Sequence, residues 1–245
     1  MLTIPFDKIS LQDIGKVKLM NRVDYKYRLW QCQLPDILNS IKNDYYIMDI
    51  NGETEQVYST DYFDTSDDSM YLSHHNGKLN RYKVRKRTYQ TSGDCFLEVK
   101  FKNNKLRTIK DRIESIANQG FSNGEKEFLQ YNCPFCADDL QPVLRNTFTR
   151  ITLVNKNYNE RCTIDYNLKV KSAGRKFDFQ NLVIIEIKMP NGNASSPLKD
   201  ELKKHKILPS GFSKYCIGRT VTDSSLKNNA FKKTLLKLDE KISIN

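Results

Sequence analysis

The chain has 245 residues, 38% hydrophobic and 28% charged, enough for one packed core of ordinary domain size. Forty Lys and Arg against twenty-nine Asp and Glu leave a net charge of +11, which directs attention to polyanions: nucleic acid, nucleotides, polyphosphate or an anionic membrane surface. No apolar run approaches the roughly 20 residues needed to cross a bilayer, and the opening MLTIPFDKIS lacks a signal-peptide layout, so a cytoplasmic protein with no transmembrane segment is expected.

From Asn21 to Trp30, charged and apolar side chains alternate with the period of a half-buried strand. Arg22, Asp24, Lys26 and Arg28 share one face, and Val23, Tyr25, Tyr27 and Leu29 the other. Leu34, Ile37, Leu38 and Ile41 then follow helical spacing. The segment Lys78 to Tyr89 holds six basic residues and no acidic one. Its strand period sets Arg81, Lys83, Arg85 and Arg87 against Tyr82, Val84, Lys86 and Thr88. From Cys95 to Lys102, Glu98, Lys100 and Lys102 oppose Leu97, Val99 and Phe101. Ser122 and Glu125 form a capping box ahead of Phe128 and Leu129.

Cys133 and Cys136 form one CxxC, but no second Cys or His pair stands at zinc-ribbon spacing, so the six cysteines read as incidental thiols. Thr147 to Val154 projects Arg150 opposite Ile151 and Leu153, and Arg161, Thr163 and Asp165 oppose Cys162 and Ile164. Leu182 to Lys188 is a strongly apolar strand whose end carries Glu186 and Lys188 on one face. Ser196 and Pro197 start another helix, and Ser224 to Leu238 reads as a C-terminal amphipathic helix among lysines.

One charged face is the ordinary solvated side of an antiparallel sheet. Repetition over four to six strands, with cations dominating, weighs differently, because like charges opposed across a sheet destabilise it unless an anion compensates them. We therefore expect an α+β fold in which a closed antiparallel barrel forms a tunnel with a cationic lumen and helices packed outside, as one domain over residues 1–245. There is no Walker loop and no GxGxxG, so side chains rather than a glycine-rich backbone would hold phosphates. Glu98 and Glu186 each stand two residues before a lysine on the same face. They suit either a divalent metal or plain cross-strand salt bridges.

The ordered series DYKY (residues 24–27), YSTDYFDT (58–65), RKRTY (85–89), FLEVK (96–100), Thr149-Arg150, Arg161 to Asp165, IEIK (185–188) and GFSKY (211–215) resembles the catalytic VTC domain of the triphosphate tunnel metalloenzymes, the superfamily that includes CYTH proteins. The resemblance implies a polyphosphate polymerase that transfers the γ-phosphoryl group of ATP to a growing polyphosphate chain. It implies Arg85, Arg87, Arg150 and Lys214 as catalytic cations, Lys26, Lys100, Arg161, Lys188 and Ser213 as substrate contacts, and Glu186, with Glu98 second, as ligands of Mn²⁺ or Mg²⁺. Lys83 joins the substrate contacts from its spacing alone. CYTH-type triphosphatases resemble one another in an ExExK first strand, where this chain has Arg22, Asp24 and Lys26. That difference favours polymerisation over the alternatives, a metal-dependent triphosphatase or NTPase and a non-catalytic polyphosphate-binding module. Eukaryotic VTC proteins also carry an SPX domain and membrane helices, for which 245 residues leave no room, so no coupling to transport is expected. ATP and inorganic polyphosphate are thus the expected partners. Nucleic acid is disfavoured, because Tyr82 faces away from the basic side on which single-strand stacking would need it.

Overall fold

A computed structural model describes residues 4–15, 22–105, 107–190 and 195–242; Asn21, which opens the first expected strand, lies outside them. In chain order the elements begin with β1 (Asp7–Ser10), α1 (Leu11–Ile14), β2 (Arg22–Trp30), α2 (Leu34–Ile41) and β3 (Tyr45–Asp49). Next come β4 (Gln56–Asp64), α3 (Ser69–His75), β5 (Arg81–Tyr89), β6 (Cys95–Lys102), β7 (Thr108–Ser115) and α4 (Asn123–Asn132). The remainder is β8 (Gln141–Asn155), β9 (Arg161–Ser172), β10 (Arg175–Asp178), β11 (Leu182–Pro190), α5 (Pro197–Lys204), α6 (Lys214–Thr222) and α7 (Lys232–Ile242). Hydrogen bonding runs β2-β11-β9-β8-β4-β5-β6-β7. The antiparallel α+β class is as expected, but among the described residues the pairing path ends at β2 and β7 and is not a closed ring.

Two compact units divide the chain, and β8 and β9 each contribute residues to both. The first unit comprises residues 1–56, 148–168 and 180–212. In it β2 pairs with β11 and β11 with β9, in a register that sets Lys26 beside Glu186 and Asp24 beside Lys188. The alternation of β2 appears in its burial, with Tyr27 and Leu29 in the core and Arg22 and Asp24 exposed. Ile37, Leu38 and Ile41 of α2 and Leu198 and Leu202 of α5 cover Leu29, Ile164, Ile185 and Ile187, so the apolar faces of the strands lie beneath helices. Truncating such a fully buried leucine costs about 2–5 kcal/mol.

The second unit comprises residues 57–147, 169–179 and 213–245. Here β5 pairs with β4 and β6, and β6 with β7. Val84, Leu97 and Val99 form the apolar face and pack with Met70 of α3 and Leu129 of α4. The capping box of α4 forms as its sequence implies: Ser122 Oγ accepts from the Glu125 amide, and the Glu125 carboxylate accepts from the Ser122 amide. Strand β5 begins at Arg81 rather than Lys78, because Gly77 and Asn80 take positive φ and turn the chain before it can pair. Likewise the last helix starts at Lys232. Asp223 ends α6 in an extended conformation and its carboxylate accepts from Ser225, which holds the following residues in a turn. The six cysteines are unpaired, and no helix among the described residues is long and apolar enough to cross a membrane.

One cation of β5 belongs to this packing and not to the basic face. Lys86 is 3% exposed and lies on the apolar side, where its ammonium reaches Glu125 (2.9 Å) and donates to the carbonyls of Gln119 (3.2 Å) and Gly120 (3.1 Å). Removing one partner of such a buried pair strands the other charge. Lys86→Ala should therefore lower the unfolding free energy by roughly 3–5 kcal/mol, measured by urea denaturation.

Candidate functional site

The basic face of the second unit is built by strand register. Because directly paired residues of adjacent strands share a face, β5, β6 and β7 stack their side chains in rungs. Lys83, Lys100 and Lys110 form one rung, and Arg85, Glu98 and Arg112 the next. Three lysines in line oppose like charges, an arrangement that a sheet tolerates only with compensation. Part of the compensation is Glu98, which is fully buried. Arg85 grips one of its oxygens through Nε (2.7 Å) and Nη2 (2.6 Å), and Lys110 contacts the other. Burial would raise the Glu98 carboxyl, but Arg85, Arg87 and Lys110 outweigh it and hold the group well below the usual carboxylate range.

The same crowding acts on the lysines. Arg85 and then burial, with Arg87 and Lys110 adding to them, push the Lys100 ammonium well down. Burial depresses Lys83, which also donates to Ser213 Oγ at 3.2 Å. Tyr62 shares this face, opposite Arg85. Burial would raise its phenol, yet Arg85, Arg87, Lys83 and Lys214 together bring it below its ordinary value. Arg87 donates to Thr60 Oγ1 at 3.2 Å and lies over the Tyr58 ring.

Ser213 and Lys214 are placed by the start of α6. Ser213 caps the helix, accepting from the Cys216 amide at 3.2 Å, and Lys214 is its first residue. The helix is anchored through Tyr215, which stacks on Tyr62 (ring centroids 5.1 Å apart) and donates its hydroxyl to the buried Asp64. Asp64 also accepts from the amides of Met70 (2.9 Å) and Tyr71 (2.8 Å), so one carboxylate fixes the starts of both α3 and α6. Farther along, Gly218 lies so close to Leu144 and Val170 that a Cβ there would meet Leu144 at 2.7 Å.

The first unit carries a face of different balance. Lys188 bridges Asp24 (3.1 Å) and Glu186, while Lys26 reaches Glu186 at 3.2 Å. Arg150 makes a two-pronged bond to Asp165, at 2.6 and 2.8 Å. Arg161 pairs in register with Lys188, and burial, then Arg22 and Arg150, lower its guanidinium. Burial opposes ionisation of Glu186, but Lys188, Lys26 and Arg150 hold its carboxyl far below the usual range. Asp24 and Glu186 thus present two oxygen donors around one cationic position. A hard divalent ion takes one or two carboxylates together with substrate phosphates, so this donor set fits Mn²⁺ or Mg²⁺. Glu98 fits less well, since cations occupy both its oxygens. Among the described residues, no three or more His, Cys, Asp or Glu side chains gather as an all-protein metal cage.

The structure therefore groups Lys83, Arg85, Arg87, Glu98, Lys100, Ser213 and Lys214 in the second unit, and Lys26, Arg150, Arg161, Glu186 and Lys188 in the first. Three participants were not evident from sequence. Lys110 and Arg112 lie in β7, whose TIKDRIES mixes charges on both faces, and only pairing with β6 reveals them. Tyr62 is uncharged, and its place follows from register with Arg85.

A model of the VTC domain family matches residues 21–222. No curated protein sequence matches the chain. Among solved structures, a candidate adenylate cyclase from Bacillus halodurans is similar with a TM-score of 0.51 and 12% identity, over 79% of this chain and 94% of that one. A candidate adenylyl cyclase from Hippeastrum, described as having a dominant triphosphatase activity, gives 0.50 and 16% identity over 83% and 97%. At these identities the likeness is one of fold alone.

Glu98 permits a pH prediction with a definite sign. Its carboxyl is depressed in the folded chain, so the stabilisation is complete above the unfolded value, near 4.3, and disappears as the pH falls below it. The wild type should lose stability progressively as the pH falls below about 5 and on down toward the depressed folded-state value. Glu98→Gln should be less stable at pH 7 by about 3 kcal/mol, because Arg85 is left buried without its partner, and flatter across that range by thermal unfolding.

Proposed function

Because the chain belongs to the VTC domain family, we propose that it is a polyphosphate polymerase, moving the γ-phosphoryl group of ATP to the end of a growing inorganic polyphosphate chain. The observation that carries this reading is the rung of Lys83, Lys100 and Lys110, only partly compensated by Glu98, beside Arg85 and Arg87. Consecutive cations at strand spacing, with one carboxylate among them, suit a ligand that repeats its negative charge. Arginines offer paired donors to phosphate oxygens and lysines a compact charge, and the face has both.

On this reading the attacking oxygen of the polyphosphate end is already ionised, so the chain needs no strong general base. Its contribution is positioning and charge neutralisation. Arg85, Arg87 and Lys214 of the second unit are assigned the charge that develops on the transferred group. Lys83, Lys100 and Ser213 of the same unit are assigned the neighbouring phosphates; within the first unit Arg150 is assigned a catalytic charge, and Lys26, Arg161 and Lys188 phosphate contacts. Glu186, with Asp24 beside it, would hold a divalent ion in place of the Lys188 ammonium. Such an ion supplies neutralisation of phosphate oxygens. Arg22, where a triphosphatase of the tunnel type would place a carboxylate, favours transfer over hydrolysis.

Incubation with ATP and Mn²⁺, followed by electrophoresis and polyphosphate staining, tests the reading. A ladder of lengthening product is expected; free phosphate without a ladder would mean a hydrolase, and intact ATP with bound polyphosphate a binding module. Arg87→Ala should lower kcat about 10²–10³-fold, by comparison with loss of a single oxyanion donor. Glu186→Gln should abolish metal-dependent turnover and leave the melting profile and polyphosphate binding in place. Undiminished turnover in that variant would remove Glu186 from the metal site.

A further inference from the structure

One rung before the three lysines, Arg81 of β5 stands directly opposite Lys102 of β6, on the same face as Lys83. The Arg81 guanidinium donates through Nη1 to the Lys78 carbonyl at 2.8 Å, while its Nε is buried with no partner. Near this rung stands His74, in the last turn of α3, which packs on β5; Arg81, Lys83 and Lys102 are the charges that act on its ring. The Nε2 atom of His74 is also buried without a partner, and the Tyr82 backbone bonds the ring. Two unpartnered buried nitrogens beside paired cations are costly unless a ligand compensates them. Nothing in the transfer reaction proposed above uses them.

We propose that Arg81, Lys102 and His74 form a further phosphate subsite, in which binding of a phosphate group is accompanied by uptake of one proton at the His74 imidazole. The inference rests on the reading of the chain as an enzyme of phosphate polymers, and it adds a site and a proton to that reading. Burial, followed by Lys83, Arg81 and Lys102, drives the imidazole down to about 2, so it is neutral at any physiological pH. Those same three cations, from β5 and β6, face it. The adjacent His75 is turned elsewhere, accepting from the Ala230 amide, and on the α6 side Arg219 is paired with Asp68 at the start of α3. A bound phosphate offsets the charge of Arg81 and Lys102 and reverses the sign of the field at His74. The bare Nε2 lone pair then takes a proton from solvent, and the resulting imidazolium donates a hydrogen bond to the phosphate, while the ring's bond to Tyr82 is kept.

The test uses the full chain and tripolyphosphate. Imidazole ¹H–¹³C resonances are followed at pH 7 during titration, with the His74 signal identified by its loss in His74→Gln, and His75 and His205 reporting that the fold is intact. The expected result is movement of the His74 signal alone from the neutral to the imidazolium position. Calorimetry in two buffers of different ionisation enthalpy should show about one proton fewer taken up by His74→Gln than by the wild type; this difference excludes any uptake by Lys83. Arg81→Gln should retain tripolyphosphate binding through the neighbouring rungs and leave His74 neutral. If tripolyphosphate binds and the His74 signal stays at its neutral position, the subsite is wrong and the polymerase reading survives. If tripolyphosphate does not bind at all, both fall.

Discussion

Glu98, buried between Arg85 and Lys110, is the constraint on which the basic face of the second unit depends. A sheet that aligns Lys83, Lys100 and Lys110 on one rung and two arginines on the next would repel itself apart if the charges were left in water-poor surroundings without a counter-charge. One carboxylate cannot neutralise them all. What it does is anchor Arg85, the guanidinium nearest the centre of the array, through two bonds, and draw Lys110 toward the same point. The remaining cations keep their excess. The fold is thereby stable enough to form and still strongly attractive to anions.

The first unit solves the same problem with a different balance. Asp24, Asp165 and Glu186 answer Lys188, Arg150 and Lys26 nearly one for one. The arrangement leaves its carboxylates exchangeable rather than sealed, since Glu186 is about a quarter exposed and Asp24 more so, whereas Glu98 has no exposure. A divalent ion can compete for oxygens held by a mobile ammonium more readily than for oxygens gripped by a buried guanidinium. The proposed assignment of anion contacts to one unit and of a metal to the other rests on this difference in burial.

Much of this was legible in the chain itself. The alternation in residues 22–30, 81–89 and 95–102 gave the strands and their charged faces, because a period of two leaves little freedom in which side a residue occupies. The capping box at Ser122 and the start at Ser196-Pro197 also formed as read, since those signals act within one turn. Partners that depend on pairing between strands were harder. Lys110 has no local pattern to mark it, and although the strand period set Lys86 on the apolar side, its partner Glu125 in α4 was not evident. The two readings of Glu98, metal ligand or salt bridge, could be weighed only once Arg85 and Lys110 were seen to take its oxygens. Closure of the sheet was inferred from charge repulsion, which identifies a need for counter-charge but does not specify hydrogen bonds between β2 and β7.

The lysine rung has a consequence for how this protein would be handled. Its three ammoniums store repulsion in the folded state that a polyanion relieves, so ligand and fold share one energy balance. Phosphate, pyrophosphate or residual nucleotide carried through a purification would act as a folding stabiliser. Buffer choice would then shift the apparent melting temperature as surely as a substitution does, and preparations that differ only in retained phosphate would behave as if they were different proteins.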